Sequence, residues 1–256
     1  MRDPHVERLF FEIGTGEGTS FRNPPPLCFS NALGEFKATD GLLVVEPLDH
    51  FASENDARAV IEPFLRSWEI ETDLTAGIGT ILFRFKRAET IDRDPPATGS
   101  FRTIQLGPVV LVATGHVASL HVTRAFYPAP PRQFRSSAEV EAAYRRWRDV
   151  KAAREPLQSM AYFLLTLLES GAGGRRQAAG AFSIDAKVLN TVGHLSSEKG
   201  DLMTARKVPR KPPFRELTGP ERTWLDEAIK RIIIRLGERA SGAPMKRLAM
   251  ADLPRI

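Results

Sequence analysis

Two hydrophobic rhythms divide the chain. Up to about residue 127 the apolar positions recur mostly every second residue; beyond 132 they recur every three or four. The first rhythm predicts strands. Residues 8–13 (RLFFEI) run into a glycine cluster, and residues 35–38 and 42–45 flank Thr39-Asp40-Gly41, the chemistry of a tight hairpin. Residues 68–73 and 81–86 alternate, with Gly77 and Gly79 between them, and predict a second hairpin. Residues 104–112 and 117–126 complete the set, with Gly107-Pro108 and Gly115 as breaks. One helix interrupts. Ser53 caps residues 54–66, where Ala57, Val60, Ile61, Phe64 and Leu65 fall at helical spacing and Pro63 is placed to kink the helix or end it early. Strands joined by tight turns around one helix predict an antiparallel sheet, not a doubly wound parallel one.

Pro128-Ala129-Pro130-Pro131 forms a stiff linker, after which the pattern is helical. Ser136-Ser137-Ala138-Glu139 reads as a capping box opening a highly charged helix, with Glu141/Arg145, Arg145/Asp149 and Lys151/Glu155 at i,i+4. Pro156 marks a new start, and residues 157–168 are apolar almost all round, as in a central buried helix. Ser183 is placed to cap a helix carrying Ile184, Val188, Leu189, Val192 and Leu195 on one face. Thr218-Gly219-Pro220-Glu221 is a second capping box. It precedes a stripe of Trp224, Leu225, Ala228, Ile229, Ile232, Ile233 and Leu236, with Gly237 at the C-terminal cap position and Lys230, Arg231 and Arg235 on the opposite face. The fold class expected is α+β: an N-terminal antiparallel β-rich domain with one helix (1–132) and a C-terminal all-α helical domain (133–256).

Composition narrows the class. At 256 residues, 42% hydrophobic and 26% charged, the chain suits one large or two small globular domains. No apolar stretch approaches the ~20 residues of a membrane-spanning helix, so no membrane partner is expected. The first residues (MRDPHVERLFFEIG) lack the features of a signal peptide. A lone cysteine, Cys28, excludes an intramolecular disulfide framework or a Cys-only zinc site within one chain, which makes the cytoplasm the expected compartment.

Charge is unevenly placed within a net +5. Residues 1–130 hold 12 Lys and Arg against 17 Asp and Glu, whereas residues 199–256 hold 14 against 7. Between Lys199 and Arg215 (KGDLMTARKVPRKPPFR) six basic residues stand against one acid, and Pro209, Pro212 and Pro213 forbid a continuous helix. Arg206, Lys207, Arg210, Lys211 and Arg215 are therefore the candidate anion-binding residues: cations on an extended loop neutralise phosphates, and Phe214 is available for base stacking. A solvated interhelical connection, or one docked on the acidic half, is the plainer reading of the same segment. The Arg145, Arg146, Arg148, Lys151 and Arg154 helix extends the basic surface, although acidic neighbours at i,i+4 pair with it.

Catalytic signatures fail. There is no G-x-x-x-x-G-K-[ST], H-E-x-x-H, CxxC or G-x-S-x-G, and Gly14-Thr15-Gly16-Glu17-Gly18 lacks the dinucleotide spacing and reads as a loop. His116 and His121 face opposite sides of a regular strand, and His194 reads as a packed or capping residue near a helix end. Glu69, Glu71 and Asp73 share one face of the strand predicted over 68–73, an arrangement suited to a hard cation such as magnesium or, more plainly, to a solvated face. Asp92 and Asp94 read as turn chemistry. No catalytic residue, metal-ligand set or cofactor is nominated.

Residues 62–70 (EPFLRSWEI), 91–96 (IDRDPP), 195–201 (LSSEKGD) and 205–207 (ARK), with the helix over 217–237, resemble a family of uncharacterised bacterial proteins. The resemblance spans most of the chain and implies a bacterial architecture without an activity. HEPN-type ribonuclease domains also hang on long paired helices, but their arginine lies four to six residues before a histidine, and here the nearest arginine before His194 is Arg176. Three functions follow: a non-catalytic binding or regulatory protein whose basic C-terminal region engages nucleic acid or another anionic or protein partner; second, a metal-dependent hydrolase or nuclease using Glu69, Glu71 or Asp73 with a histidine; and third, a purely structural or self-associating protein.

Overall fold

The computed structural model describes residues 1–94, 103–106 (backbone), 122–197, 199 and 215–256. The chain divides into two compact units, Met1–Pro131 and Arg132–Ile256. The first comprises β1 (Pro4–Gly14), β2 (Thr19–Phe21), β3 (Leu27–Asn31), β4 (Gly34–Thr39), β5 (Leu42–Pro47), α1 (Glu54–Ala76), β6 (Leu82–Asp92), β7 (Thr103–Leu106) and β8 (Val122–Arg124). Six strands form one antiparallel sheet in the order β3-β4-β5-β1-β6-β7, the arrangement the alternation predicts although β3 is not among the strands expected, and β2 and β8 make a separate parallel pair. Of the strands expected over 104–112 and 117–126, residues 107–121 lie outside the described residues. The Thr39-Asp40-Gly41 hairpin forms between β4 and β5, with Asp40 and Gly41 both at positive φ (50° and 75°), which matches the right-handed twist of the flanking strands.

One face of the sheet carries the core. Leu9, Phe11 and Ile13 of β1 alternate into it, together with Phe36, Ala38, Leu43 and Val45, and α1 adds Ala57, Ile61, Leu65 and Trp68. Two bulges keep this face apolar. One between Val6 and Arg8 absorbs the odd spacing from Val6 to Leu9, and the other, at Lys86, does the same between Phe85 and Ala88. The opposite face is charged, with Arg8 paired to Glu46 and the Arg87 guanidinium lying over the Phe10 ring (3.6 Å).

The strand expected over residues 68–73 is instead the second half of α1, so the second hairpin does not exist. Pro63 neither ends nor replaces the helix; its missing N–H removes one backbone bond, and the burial of Ile61, Leu65 and Trp68 outweighs that loss. The misreading has a physical cause. Trp68, Ile70, Thr72 and Leu74 are all buried, so this part of the helix is covered on more than one side and its apolar positions alternate as a strand's would.

The second unit comprises α2 (Ala138–Lys151), α3 (Leu157–Ala172), α4 (Arg175–Ala181), α5 (Ala186–Ser197), α6 (Gly219–Ser241) and a 3₁₀ turn at Met250–Asp252. α3 packs against all four other helices, as its apolar circumference predicts. The α6 stripe from Trp224 to Leu236 is buried throughout, and the Thr218–Glu221 capping box closes in both directions. Three local expectations are corrected. α2 is capped by Ser137 rather than Ser136; its hydroxyl accepts from Val140 N–H. At α5, Asp185 takes the capping role expected of Ser183: its Oδ1 accepts from Lys187 N–H (3.1 Å). α6 runs past Gly237 to a cap at Gly242, because Gly237 serves another purpose: a Cβ there would lie 2.2 Å from the Phe134 ring.

Candidate functional site

Of the five predicted anion-binding residues, Arg206, Lys207, Arg210 and Lys211 lie outside the described residues, and Arg215 is exposed. The described ends of the basic segment are firmly held. Lys199 Nζ donates to Glu221 Oε1 (2.8 Å), and both side chains are mostly buried. Glu221 is also the capping-box acid of α6, accepting from Thr218 N–H (2.9 Å), and Leu217 between Arg215 and the cap is buried. The Lys199 hydrogen bond, followed by the Thr218 N–H, holds the Glu221 carboxyl below its ordinary range. Residues 199 and 221, on either side of the basic run, thus meet at the N-terminus of α6. Lys199 itself is committed to this ion pair and is not a free cation.

Beside this junction lies an open groove of about 530 Å³, bounded by Arg154, Glu155, Pro156, Glu216, Leu217 and Arg222. The Arg154 side chain is 77% exposed, and its one ion pair among the described residues, to Asp149, is long at 3.8 Å. Arg222 is exposed as well. Glu155 is drawn off by Arg146, whose guanidinium also covers the Phe163 ring (4.2 Å). The expected Lys151/Glu155 helix pair is therefore replaced: Lys151 reaches across to Asp226 on α6 (2.7 Å), which also accepts from Trp147 Nε1. Sequence spacing along α2 could not show this, since the partner is 75 residues away.

The carboxylates Glu69, Glu71 and Asp73 do not converge. On a helix Glu69 and Asp73 stand one turn apart and Glu71 points elsewhere. Glu69 Oε1 accepts from Phe83 N–H of β6 (2.8 Å) and its Oε2 takes Arg66; Asp73 Oδ1 accepts from Gly79 N–H (2.8 Å). Both acids fasten α1 to the connection leading into β6. At that connection Gly79 and Gly16 approach so closely that a Cβ on Gly79 would lie 2.8 Å from Gly16 Cα, and Gly16 N–H donates to Gly79 O (2.6 Å). Burial pushes the Glu69 carboxyl up, against the opposing pull of Phe83 N–H and Arg66. Glu69 lines a groove of about 490 Å³ with Arg58, Glu62 and Arg66, in which Arg58 is held between Glu54 and Glu62. Among the described residues no set of three His, Cys, Asp or Glu is disposed to hold a metal ion.

His116 and His121 lie outside the described residues, and His194 is exposed in the last turn of α5. The remaining histidine pair left no trace in the spacing of the chain. His5, buried on β1, stacks on His50 (5.0 Å, 10°), whose Nε2 lies 3.5 Å from Asp3 Oδ1. His5 Nδ1 is buried without a hydrogen-bond partner. Burial, then the charges of Arg93 and His50, hold the His5 imidazole below its usual value. Asp92, the last residue of β6, ties the same corner by accepting from Arg2 N–H and Asp3 N–H (both 3.0 Å), long-range bonds the sequence did not suggest, while Asp94 N–H donates to its Oδ1 (3.2 Å) in the expected turn manner.

Among the described residues no helix is long and apolar enough to cross a membrane. Neither protein-family models, nor curated proteins, nor solved structures match the chain.

Proposed function

We propose that the chain is a non-catalytic binding or regulatory protein whose basic C-terminal region engages an anionic partner, with nucleic acid as the first candidate. The observation that carries this reading is the disposition of charge in the helical unit. Residues 132–256 contain 24 Lys and Arg against 14 Asp and Glu. The principal acids are consumed internally: Glu155 by Arg146, Glu221 by Lys199, Asp226 by Lys151, Glu227 by Lys230 and Arg231, Glu238 by Arg235. Cations are left over, and Arg154, Arg215 and Arg222 are exposed around the place where the basic segment joins the bundle. Arg206, Lys207, Arg210 and Lys211 enlarge the same surplus. An uncompensated cationic surface attracts polyphosphates through counterion release, a salt-sensitive interaction.

The test is binding of mixed-sequence oligonucleotides by the full chain across a salt series. Binding is expected at ~50 mM salt and weakens steeply with added salt; changing Arg206, Lys207, Arg210 and Lys211 together to alanine reduces the slope of log K against log salt by about one for each phosphate no longer neutralised. Absence of binding by the unmodified chain at ~50 mM salt removes the nucleic-acid reading.

A further inference from the structure

The end of the helical unit folds back onto the bundle. Leu248 N–H donates to Ser183 O and Asp185 N–H to Leu248 O (both 2.8 Å), a parallel bridge between residues 184 and 248, and Leu248 and Leu253 are buried. This attachment lays residues 246–248 beside the C-terminal half of α6 and closes a groove of about 240 Å³. Four cations line it, Arg231, Arg235, Lys246 and Arg247, against two acids, Glu238 and Asp252.

The two acids are already engaged. Glu238 pairs with Arg235, and Asp252 Oδ2 accepts from Ala249 N–H (2.8 Å) in the 3₁₀ turn. The other three cations keep donors to spare. Arg231 offers only its Nε to Glu227 (2.9 Å), an acid it shares with Lys230. Arg247 lies 3.4 Å from Asp185 with its side chain 72% exposed. Lys246 is exposed, with no ion-pair partner among the described residues. This sets the groove apart from the one beside Glu69, where Arg58 and Arg66 are matched by adjacent glutamates.

From this arrangement we infer that the groove between α6 and the C-terminal segment is a seat for a phosphate group, either free or carried on a nucleic-acid backbone. Two guanidiniums and an ammonium with unused donors suit a tetrahedral oxyanion, which offers acceptors on every side. No aromatic ring lines the groove among its described residues, so it lacks the stacking platform a base would use. The residues differ from those of the 199–215 segment, so the site is tested separately from the reading above.

The experiment is calorimetric titration of the full chain with pyrophosphate and, separately, with a short oligonucleotide, at ~50 mM salt. It is repeated on Lys246→Ala/Arg247→Ala, on the charge-retaining Lys246→Arg/Arg247→Lys, and on Arg84→Ala/Lys86→Ala, two exposed cations of the first unit, as a control for loss of charge alone, where binding is expected to stay within about twofold. The first pair of substitutions is expected to weaken binding roughly tenfold and lower the oligonucleotide salt slope by about two, while the charge-retaining pair stays within about threefold of the unmodified protein. Both altered residues are exposed, so unchanged thermal unfolding is expected to show an intact fold. Where Lys246→Ala/Arg247→Ala weakens it, binding of pyrophosphate identifies a free-phosphate site and binding of the oligonucleotide alone identifies a backbone contact; either loss supports the inference. If the unmodified chain binds and Lys246→Ala/Arg247→Ala binds equally well, the groove is not the seat, although the broader anionic-partner reading survives. If the unmodified chain binds neither probe, both readings fall.

Discussion

Single buried polar groups decide much of the chemistry in the N-terminal unit. Glu69 is worth more as an acceptor than as a charge. Glu69→Gln, which keeps an oxygen for Phe83 N–H, is expected to be at least as stable at pH 7 as the unmodified protein, whereas Glu69→Ala, leaving that amide unsatisfied, costs about 1–3 kcal/mol in denaturant unfolding. The two perturbed groups here push pH dependence in opposite directions. Glu69 has its folded value raised, so between its unfolded value of 4.5 and that higher value the native state holds more protons than the unfolded chain; its contribution is favourable at low pH and lost as pH rises through that window. His5 has its value lowered from 6.5, so the unfolded chain holds more protons and stability is lost as pH falls below about 6.5. Over pH 5 to 8 the His5 contribution to the unfolding free energy should therefore fall toward the acid end, and His5→Gln should remove that component, making the profile less steeply dependent on acid than that of the unmodified protein. An unchanged profile in His5→Gln would show that the stacked pair is not its source. Neither group was legible in the sequence: the pairing of His5 with His50 joins positions far apart in the chain, and Glu69 alternates with apolar neighbours as a solvated strand residue would.

In the second unit α6 announces its start better than its end. The α6 capping box is local chemistry, its partners three residues apart, and the sequence shows it directly. The end of α6 depends on something distant. Gly237 looks like a C-cap because a glycine after an apolar stripe usually is one, yet here it admits the edge of Phe134 from the segment before α2. In an open helix interior Gly→Ala stabilises by up to about 1 kcal/mol. At this position the sign reverses: Gly237→Ala is expected to destabilise by about 1–3 kcal/mol, measured by thermal or urea unfolding, and to recover in combination with Phe134→Ala, where the double change costs less than the sum of the singles. The same contrast explains α1. Its N-cap at Ser53 is plain in the sequence, but its length past Pro63 is set by packing of Ile61, Leu65 and Trp68 on the sheet.

Across the whole molecule the two units differ in both pattern and charge. Replacing Arg206, Lys207, Arg210 and Lys211 by alanine lowers the formal net charge from +5 to +1. At pH 7 this variant should elute from a cation exchanger at clearly lower salt than the unmodified chain, with unfolding unchanged; equal elution would mean those four charges are neutralised within the fold. Retention reports the surplus charge itself, independently of any particular partner.

Much of what depends on near neighbours could be read from the chain alone: most of the strand and helix periods, the Asp40-Gly41 turn, the caps at Ser53 and Thr218, the change of architecture near residue 132 and the excess of cations in the second half. Each of these is a property of residues within a few positions of one another or of composition, where spacing, local hydrogen bonding and counting suffice. Folding settled which charges remain free, because ion pairs such as Lys151–Asp226 and Lys199–Glu221 join positions that are remote along the chain. It also settled the length of α1, the use of Gly237 as a packing notch and the closing of the α6 groove by residues 246–248, since burial is conferred by the partner surface and leaves no mark on the segment that receives it.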